Sequence, residues 1–386
     1  MPPRLALVVE GSTELFVPAE SLRARAPATY PAFFNPAARV NRDITVAIAR
    51  ATKPRNFLDA LAGVGARGVR VANEVDGVDV TMVDFNSSSV EIARKSIKRN
   101  RLSRKCKMVK AEANVFMHSR FTRPEKFAAV DLDPFGTPAH YVQGALVAAA
   151  DGAVVSVTAT DTAVLCGTYP SVALRRYGVR IARSEFMHEA GVRALLGFCA
   201  RVGGFLDVGI QPVAAHSTLH YLRVYFRVAR RATASEKSIR RVGYVVSCGS
   251  CHEKSAEAEE TENCLACGAK VRPMGPLWLG PIVDDGLVEE AAGFCSRSGW
   301  EESAQTLGSL SGVDDCPPFS HSIDDVASRE GFSSVKVDEV IETLRSNGRK
   351  AMRQPFGAVG VKTDAPYSEV LRAVRESSGE YPRQTR

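Results

Sequence analysis

The sequence predicts an α/β protein in which a doubly wound, mostly parallel sheet is followed by a smaller α+β domain. Between residues 56 and 158, short β-prone apolar runs alternate with segments of helical periodicity, as in parallel sheets. A glycine-rich turn follows the first apolar run, and two pairs of cysteines lie far downstream. We therefore expect a sheet domain over residues 1–232, with an N-terminal extension over 1–50, and a C-terminal domain over 233–386.

Composition limits the class of protein. With 45% hydrophobic and 24% charged residues, the chain is typical of a soluble globular protein. The sequence shows neither a secretion signal nor an apolar run long enough for a membrane span, so we expect a cytoplasmic protein without membrane contact. No obligatory protein partner is inferred. A formal charge of +7 favours a polyanionic partner without requiring one.

The N-terminal extension contains two features. Residues Leu5 to Val17 predict a hairpin. Phe33 and Phe34 then lie in a proline-bounded loop, where they either anchor the extension on the core or stack on a flat substrate. A helix is predicted to open at Asn41, which places Arg42 at a helix start, in a position suited to an anion.

The glycine-rich turn predicts a nucleotide or nucleoside cofactor. Gly63, Gly65 and Gly68 form G-x-G-x-x-G, and Asp84 ends the next strand, in a position to bind ribose hydroxyls. This pattern fits NAD as well as S-adenosylmethionine. Asp59, at the end of the preceding strand, suits the cationic amino group of S-adenosylmethionine better than a pyrophosphate.

Other residues around this turn complete the predicted cofactor site. Arg67 either meets a carboxylate of the cofactor or forms an ion pair with Asp59. Glu112 and Ala113 end the third strand, where we expect the adenine ring.

The candidate catalytic loop is Asp133-Pro134-Phe135-Gly136. It follows the apolar run that ends at Leu132, and such loops lie in the ligand crevice of parallel sheets. An acid, a rigid peptide and an aromatic ring suit a planar base whose amino group needs an acceptor. Asp131 is the alternative acid, and Phe135 is a candidate for stacking on the base.

The remainder of the first domain is predicted by periodicity. A helix over Ser88–Asn100 leads into a basic stretch, from Arg94 to Lys107, that is either a solvated face or a grip for phosphates. A fifth strand is expected over Gly152–Thr158. Two antiparallel strands over Phe205–Ala215 and Leu219–Val228 close the sheet, and residues 230–237 are interpreted as a linker or edge.

The C-terminal domain contains a predicted zinc module over residues 243–280. Cys248, Cys251, Cys264 and Cys267 have the spacing C-x2-C-x12-C-x2-C, which brings four thiolates to one tetrahedral zinc ion. A site filled by four cysteines is closed and therefore structural.

Residues 320–386 predict a winged-helix-like tail. Helices near Ile323–Glu330 and Val335–Asn347 precede a glycine-punctuated hairpin. Such a module either contacts nucleic acid or serves as an interaction domain. The cations predicted on its second helix and wing are Arg345, Arg349, Lys350, Arg353 and Lys362.

Several short motifs together resemble the tRNA (guanine-N2)-dimethyltransferase family, which modifies guanine 26, in its zinc-containing archaeal type. They are Phe34-Asn35-Pro36, Asn41-Arg42-Asp43, Asp59-Ala60-Leu61, Asp131-Leu132-Asp133-Pro134-Phe135-Gly136, Val157-Thr158-Ala159-Thr160-Asp161 and Gly275-Pro276-Leu277-Trp278. The similarity extends over nearly the whole chain.

The resemblance implies a Rossmann-like S-adenosylmethionine domain, with Asp133 as the catalytic acid and a C-terminal domain that binds tRNA. It implies mono- and dimethylation of guanine N2. The residues on which the family's cofactor contacts fall are Arg42, Arg67, Asp84, Glu112 and Ala113.

Three alternatives remain open. The glycine pattern allows an NAD-dependent dehydrogenase. A similar acid-proline-aromatic loop would serve an amino-methyltransferase acting on another nucleic-acid base or a protein amide. The zinc module and tail alone would suit a non-catalytic RNA-binding protein.

Overall fold

The computed structural model describes residues 3–23, 32–333, 335–357 and 359–379. The predicted tail therefore extends, over 380–386, beyond the described residues. The strands are β1 Leu5–Glu10, β2 Thr13–Pro18, β3 Asn56–Asp59, β4 Asp79–Asp84, β5 Cys106–Lys110, β6 Phe127–Leu132, β7 Ala149–Ala159, β8 Gly209–Thr218, β9 Tyr221–Ala229, β10 Val242–Ser247, β11 Lys254–Glu257, β12 Met274–Trp278, β13 Ala351–Arg353 and β14 Val361–Thr363. The helices are α1 Arg39–Thr52, α2 Ala66–Glu74, α3 Ser87–Arg99, α4 Ala113–His118, α5 Val142–Ala148, α6 Thr162–Leu165, α7 Pro170–Tyr177, α8 Met187–Gly204, α9 Ala232–Ile239, α10 Asp285–Arg297, α11 Glu301–Gly308, α12 Ile323–Glu330, α13 Val337–Ser346 and α14 Tyr367–Ser378.

A seven-stranded sheet has the order β5-β4-β3-β6-β7-β9-β8. The five strands from β5 to β7 are parallel, and β9 and β8 pair antiparallel at the other end. This agrees with the predicted parallel sheet and its antiparallel closing pair. Because parallel strands share an edge for their carboxyl ends, the loops after β3, β4 and β6 meet on one side of the sheet.

The N-terminal hairpin β1-β2 is present as predicted and is anchored on the sheet domain. The hydroxyl of Thr13 donates to Glu74 Oε1 at 2.6 Å, and the amide of Phe16 donates to Ser96 Oγ at 3.0 Å. Helix α1 begins at Arg39, so the predicted start at Asn41 is wrong by two residues. The preceding turn, Pro36–Ala38, is capped by Asn35 and leads directly into the helix.

Residues 230–237 do not form the predicted linker. Residues Ala232–Ile239 are helix α9, which packs on strand β8, and Ser238 Oγ accepts the amide of Ile210 at 2.9 Å. A single hydrophobic core continues from Leu15 through Trp278 to Phe356. The predicted boundary near 232 lies inside this core, so the division into domains at that point stays a prediction.

The C-terminal tail has a core of its own, built from α12, α13, α14 and the hairpin β13-β14. The order helix, helix, hairpin agrees with the predicted winged-helix arrangement, and α14 follows the hairpin. Lys362, in β14, reaches out of this unit, and its Nζ donates to Glu189 Oε1 at 2.6 Å and Oε2 at 2.7 Å in α8. Both side chains are fully buried, so this ion pair joins the tail to the sheet domain.

Over the described residues, helices of sufficient length and apolarity to traverse a bilayer do not occur.

Candidate active site

A pocket opens at the carboxyl ends of β3 and β6, under the loop that precedes α1. Eight of the predicted site residues line this pocket, and they are Phe33, Phe34, Arg42, Asp59, Arg67, Asp133, Pro134 and Phe135. The structure therefore brings together the predicted catalytic loop, both candidate aromatic rings and half of the predicted cofactor residues. Asp84, Glu112, Ala113 and Asp131 lie outside the lining.

The glycine-rich turn is shaped by two carboxylates. Gly63 donates its amide to Asp84 Oδ2 at 2.8 Å, and Gly68 donates its amide to Asp59 Oδ2 at 3.0 Å. Gly65, with φ of 80°, adopts the left-handed conformation that favours glycine. A Cβ on Gly68 would lie 2.5 Å from Met82 Sδ, so that position has no room for a side chain.

Asp59 is a buried carboxylate in an acidic setting. Burial, together with the neighbouring carboxylate of Asp131, raises the pKa of Asp59 to about 7. The alternative of an Asp59–Arg67 ion pair is not found, because among the described residues Arg67 forms its ion pairs with Asp131 and Asp133. A cation bound in the pocket would stabilise the ionised form of Asp59. This carboxylate therefore fits the amino group of S-adenosylmethionine.

Arg67 occupies the centre of a charged network behind the predicted catalytic loop. Its Nε lies 3.0 Å from Asp131 Oδ1, and its remaining nitrogens donate to Asp133, Asn41 Oδ1 at 2.8 Å and Thr45 Oγ1 at 2.6 Å. Because its donors are used within the protein, Arg67 is held rigidly against the loop.

Asp131 lies below the pocket rather than in it. Its side chain is fully buried and forms ion pairs with Arg67 and Arg223, and Ser156 Oγ donates to it at 2.5 Å. The carboxylate is thus occupied by protein donors. Its predicted catalytic role stays a prediction.

Asp133 is the half-buried acid of the loop. Burial acts to raise its pKa, but Arg67 and Arg223 outweigh burial and hold the pKa below the ordinary value. Asp133 is consequently ionised at neutral pH and is able to accept hydrogen bonds or a proton.

The loop that carries Asp133 is fastened to the segment after β7. The amide of Gly136 donates to Thr160 Oγ1 at 2.6 Å, and the amide of Thr160 donates back to the carbonyl of Gly136 at 2.9 Å. The phenol of Tyr177 donates to Asp161 Oδ1 at 2.8 Å and lies 2.7 Å from Thr137 Oγ1. Since the phenol has one hydrogen, Thr137 donates to it.

The three aromatic residues of the pocket differ in position: Phe33 and Phe135 lie at its opening, and Phe34 is buried. The rings of Phe33 and Phe135 are 5.9 Å apart at 55°, and Phe135 is 72% exposed. Phe34 is buried, with the guanidinium of Arg42 placed 4.8 Å from its ring centroid. Phe34 thus anchors the extension, whereas Phe33 and Phe135 form an open aromatic surface beside the pocket.

The remaining predicted cofactor residues have structural partners. Arg42 is buried and donates from Nε to Glu10 Oε2 at 2.7 Å. Glu112 caps α4 by accepting the amide of Val115 at 2.7 Å, and Ala113 is buried at the start of that helix. Their roles toward a cofactor stay predictions.

Sequence reasoning missed Arg223, Thr160 and Tyr177. Arg223 is fully buried in β9, and its Nε donates to Tyr225 Oη at 2.7 Å. An arginine inside the apolar strand Tyr221–Ala229 is a signal of a buried counter-charge, because unpaired charges are seldom buried. Thr160 was marked only as part of the motif Val157–Asp161, without a role, and Tyr177 gave no local signal.

The four predicted zinc ligands converge. Their Sγ atoms all lie within 4.8 Å of one another, with Cys248 and Cys267 3.6 Å apart and Cys251 and Cys264 also 3.6 Å apart. Tetrahedral zinc with Zn–S bonds of about 2.3 Å requires sulfur separations of about 3.8 Å. This geometry fits a zinc ion.

The predicted cations of the winged-helix-like tail all have partners. Arg349 pairs with Glu369, Arg353 with Asp338, Lys350 with Asp315 and Lys362 with Glu189. Arg345 donates to the carbonyl of Ala351 at 2.8 Å. Nucleic-acid contact by the tail stays a prediction.

Comparisons with known proteins agree along the whole chain. The family model described as N2,N2-dimethylguanosine tRNA methyltransferase matches residues 11–375. The chain is 34% identical over 379 residues to the tRNA (guanine(26)-N(2))-dimethyltransferase of Methanopyrus kandleri, covering 97% of this chain and 98% of that protein. The enzyme of the same name from Methanospirillum hungatei is 35% identical over 376 residues, covering 95% of this chain and 98% of its own.

A solved structure is similar throughout. The complex of Trm1 from Pyrococcus horikoshii with S-adenosyl-L-methionine superposes with a TM-score of 0.83 at 28% identity, and covers 96% of this chain and 99% of that one. The Rossmann-like α/β fold predicted from the sequence is therefore confirmed.

Proposed function

The chain belongs to the N2,N2-dimethylguanosine tRNA methyltransferase family, and from that membership we propose that it methylates the exocyclic N2 of guanine 26 in tRNA, once and then twice. The main support for the proposal is that the predicted cofactor site and the predicted catalytic loop line the same pocket. Asp59, in an acidic setting suited to a cationic cofactor, lines the same pocket as the loop Asp133-Pro134-Phe135. Methyl donor and amine acceptor would therefore meet there.

S-Adenosylmethionine is the proposed cofactor and supplies an electrophilic methyl group on its sulfonium. Asp59 accepts from its amino group, and Asp84 accepts from ribose hydroxyls at the next strand end. Glu112 and Ala113 flank the adenine. Arg42 and Arg67 line the pocket and fix the loops around it.

The catalytic loop acts on the acceptor amine. The lone pair of the exocyclic nitrogen is delocalised into the guanine ring, which makes it a poor nucleophile. The Asp133 carboxylate and the Pro134 carbonyl accept its two hydrogens and favour a pyramidal nitrogen. As the new C–N bond formed, the C–S bond of the sulfonium would break and S-adenosylhomocysteine would leave as a neutral thioether. The nitrogen would become cationic, and Asp133 would take its proton. Most of the rate gain then comes from positioning and electrostatics.

The base binds at the open aromatic surface formed by Phe33 and Phe135. Phe33 and Phe135 stack on a guanine turned out of its helix, and Phe34 supports them from the buried side. Asp131 acts as a positioning residue for Arg67 and Arg223, since its carboxylate is fully buried between them.

The four cysteines hold a structural zinc ion. All four positions are thiolates, which leaves no open position for substrate. Residues 233–386 are proposed to contribute to tRNA binding, in a protein that works in the cytoplasm.

Methyl transfer to a defined tRNA tests the proposal. The protein is incubated with labelled S-adenosylmethionine and an unmodified tRNA transcript, and nucleosides are identified by mass spectrometry. We expect N2-methylguanosine followed by N2,N2-dimethylguanosine, and no label in a transcript with adenine at position 26. N6-methyladenosine, methylated protein, or equal labelling of both transcripts would contradict it.

A further inference from the structure

The positive charge of the chain is concentrated in one segment. Between Ile92 and Ala111 there are nine Lys and Arg residues and no Asp or Glu, whereas the whole chain has a formal charge of only +7. The rest of the chain is therefore slightly acidic. This segment comprises the second half of α3, the loop after it and the edge strand β5.

Four of these nine cations line a cleft at the amino ends of β4 and β5. Arg94 from α3, Arg104 and Lys105 from the loop and Lys107 from β5 all face it, with Asp79 as the one acid of the lining. The cleft and the pocket lie at opposite ends of the parallel strands, since the pocket occupies their carboxyl ends. Lys107 and Lys110 are both exposed on β5, about 10 Å apart along the strand at 3.3 Å per residue.

The cations of this basic cleft are not neutralised by the protein. Over the described residues, the ion pairs of the segment consist of Arg99 with Glu14. The side chains of Arg94, Arg104 and Lys107 are exposed and form no ion pair there. The tail differs, because four of its five predicted cations are paired with carboxylates and the fifth with a backbone carbonyl.

We propose that the basic cleft binds the sugar-phosphate backbone of the tRNA substrate, at a distance from the guanine that is methylated. The proposal rests on the proposed function, which makes tRNA the polyanion this protein must hold. Phosphate contacts of this kind fix orientation without reading sequence. They suit an enzyme that accepts tRNAs of different sequence at a fixed position.

Edge protection explains only part of this charge. Lysines on an edge strand such as β5 deter pairing with another chain. Arg94 lies on α3 and Arg104 lies in the loop, so neither side chain protects the edge. Substituting these two arginines therefore tests phosphate binding without altering the protection of the edge strand.

The test uses the full chain with Arg94→Gln/Arg104→Gln. The matched control is Arg4→Gln/Arg123→Gln, two arginines whose side chains are also exposed and which lie outside both the basic segment and residues 233–386. The dissociation constant for tRNA is measured across a salt series, along with the KM values for tRNA and S-adenosylmethionine and the thermal unfolding midpoint.

Loss of two phosphate contacts should weaken tRNA binding roughly tenfold at low salt and reduce the slope of log K against log salt by about two. The KM for tRNA should rise, with the KM for S-adenosylmethionine and the unfolding midpoint unchanged, and the Arg4→Gln/Arg123→Gln control should match the unsubstituted protein.

An unchanged tRNA affinity and salt slope in the cleft variant would overturn the inference. So would loss of binding to phosphatidylserine vesicles without a change in tRNA affinity, because the cleft would then be a lipid surface. Absence of methyl transfer by the unsubstituted protein would instead refute the proposed function.

Discussion

The guanidinium of Arg67 contacts the carboxylate of Asp133 directly, across 66 residues of sequence, at the inner wall of the pocket. This contact decides the charge of the proposed proton acceptor. Burial alone would raise the pKa of Asp133, and Arg67 is the largest of the influences that lower it. The acid is therefore ready to accept hydrogen bonds without first losing a proton.

Replacing Arg67 should shift the pH dependence of methyl transfer. In Arg67→Gln, burial is still opposed by Arg223 and by the hydrogen bond from Thr158, but the largest opposing influence is lost, so the pKa of Asp133 rises. The ionised form that accepts the proton then disappears at a higher pH, and the acidic limb of the single-turnover rate moves upward. Measurement of that rate from about pH 5 to 9 reports the shift.

Arg67→Lys keeps the positive charge, so the acidic limb of its single-turnover rate should lie close to that of the unsubstituted protein. The Gln variant also leaves Asp131 with one arginine, which we expect to cost about 3–5 kcal/mol of unfolding free energy. Rates are therefore compared below the unfolding temperature of each variant. Identical acidic limbs in all three proteins would exclude this role for Arg67.

Asp133→Asn should abolish most methyl transfer while the protein still binds S-adenosylmethionine. The amide keeps the shape of the side chain but cannot take the proton, so we expect a loss of about 10²- to 10⁴-fold in the single-turnover rate. Calorimetry with S-adenosylmethionine provides the binding control. Wild-type turnover on a tRNA transcript with guanine 26 would show that Asp133 is not the acceptor.

Tyr177→Phe should reduce the rate by loosening the catalytic loop. The substitution removes the hydroxyl that joins Thr137 to Asp161 and keeps the ring in the core. Small displacements of reacting groups are costly, so we expect roughly a tenfold lower kcat with the KM for S-adenosylmethionine unchanged.

The matched control for this variant is Tyr169→Phe, at the start of the same helix, where the side chain is 55% exposed. It should behave as the unsubstituted protein. Equal kcat values in both variants, alongside a lowered unfolding midpoint for Tyr177→Phe alone, would restrict Tyr177 to a stabilising role.

Removal of zinc should loosen the C-terminal part of the chain. Elemental analysis should find one zinc ion per chain, lost in Cys251→Ser and retained in Cys316→Ser, which lies outside the cluster. Glu253, two residues after Cys251, accepts the amide of Tyr367 at 3.0 Å, so loss of the metal should also free the tail to proteolysis. Metal-free protein with unchanged protease resistance would contradict this.

Acid should destabilise the protein through His321. Burial, aided by Lys254 and Arg329, holds the pKa of His321 well below the ordinary value, and Lys254 Nζ donates to its Nδ1 at 2.9 Å. Two carboxylates also face this junction: Glu185 pairs with Lys254, and Glu253 acts on Lys254 electrostatically.

The folded state therefore leaves His321 neutral, whereas the unfolded state binds a proton below about pH 6.5. The unfolding free energy should fall as pH drops below that value, by up to about 1.4 kcal/mol per pH unit. Burial lowers the pKa of His216 to about 3, so His216 also makes the unfolding free energy fall in acid. The measured quantity is therefore the difference in this pH slope between each variant and the unsubstituted protein. His321→Asn should flatten the slope in denaturant titrations, and the exposed His220→Asn should not; equal slopes would contradict the assignment.

Local patterns predicted most of the fold. Strand and helix alternation gave the parallel sheet, and α12 was predicted at the residues where it occurs, Ile323–Glu330. The error at 230–237 arose because a polar, charged segment lacks the periodicity of a core helix. Helix α9 is nevertheless fixed there by its packing on β8, which is a tertiary contact.

The pairing of charges could not be read from the sequence. Arg67 and Asp59 are eight positions apart and suggested an ion pair, yet Arg67 pairs with Asp131 and Asp133 on another strand. The tail cations looked suited to nucleic acid, but Lys362 is buried against Glu189, 173 residues away. Arg223 joins Asp131 from 92 residues away.

The sequence by itself indicated the candidate catalytic loop, the glycine-rich turn and the four candidate zinc ligands, because each is a local pattern whose proposed chemistry depends on residue type and spacing. The tertiary structure alone decided which carboxylate each arginine neutralises and which cations stay exposed. Those outcomes depend on burial and on contacts between distant strands, since the strength of an ion pair is set by distance and by the loss of water around it.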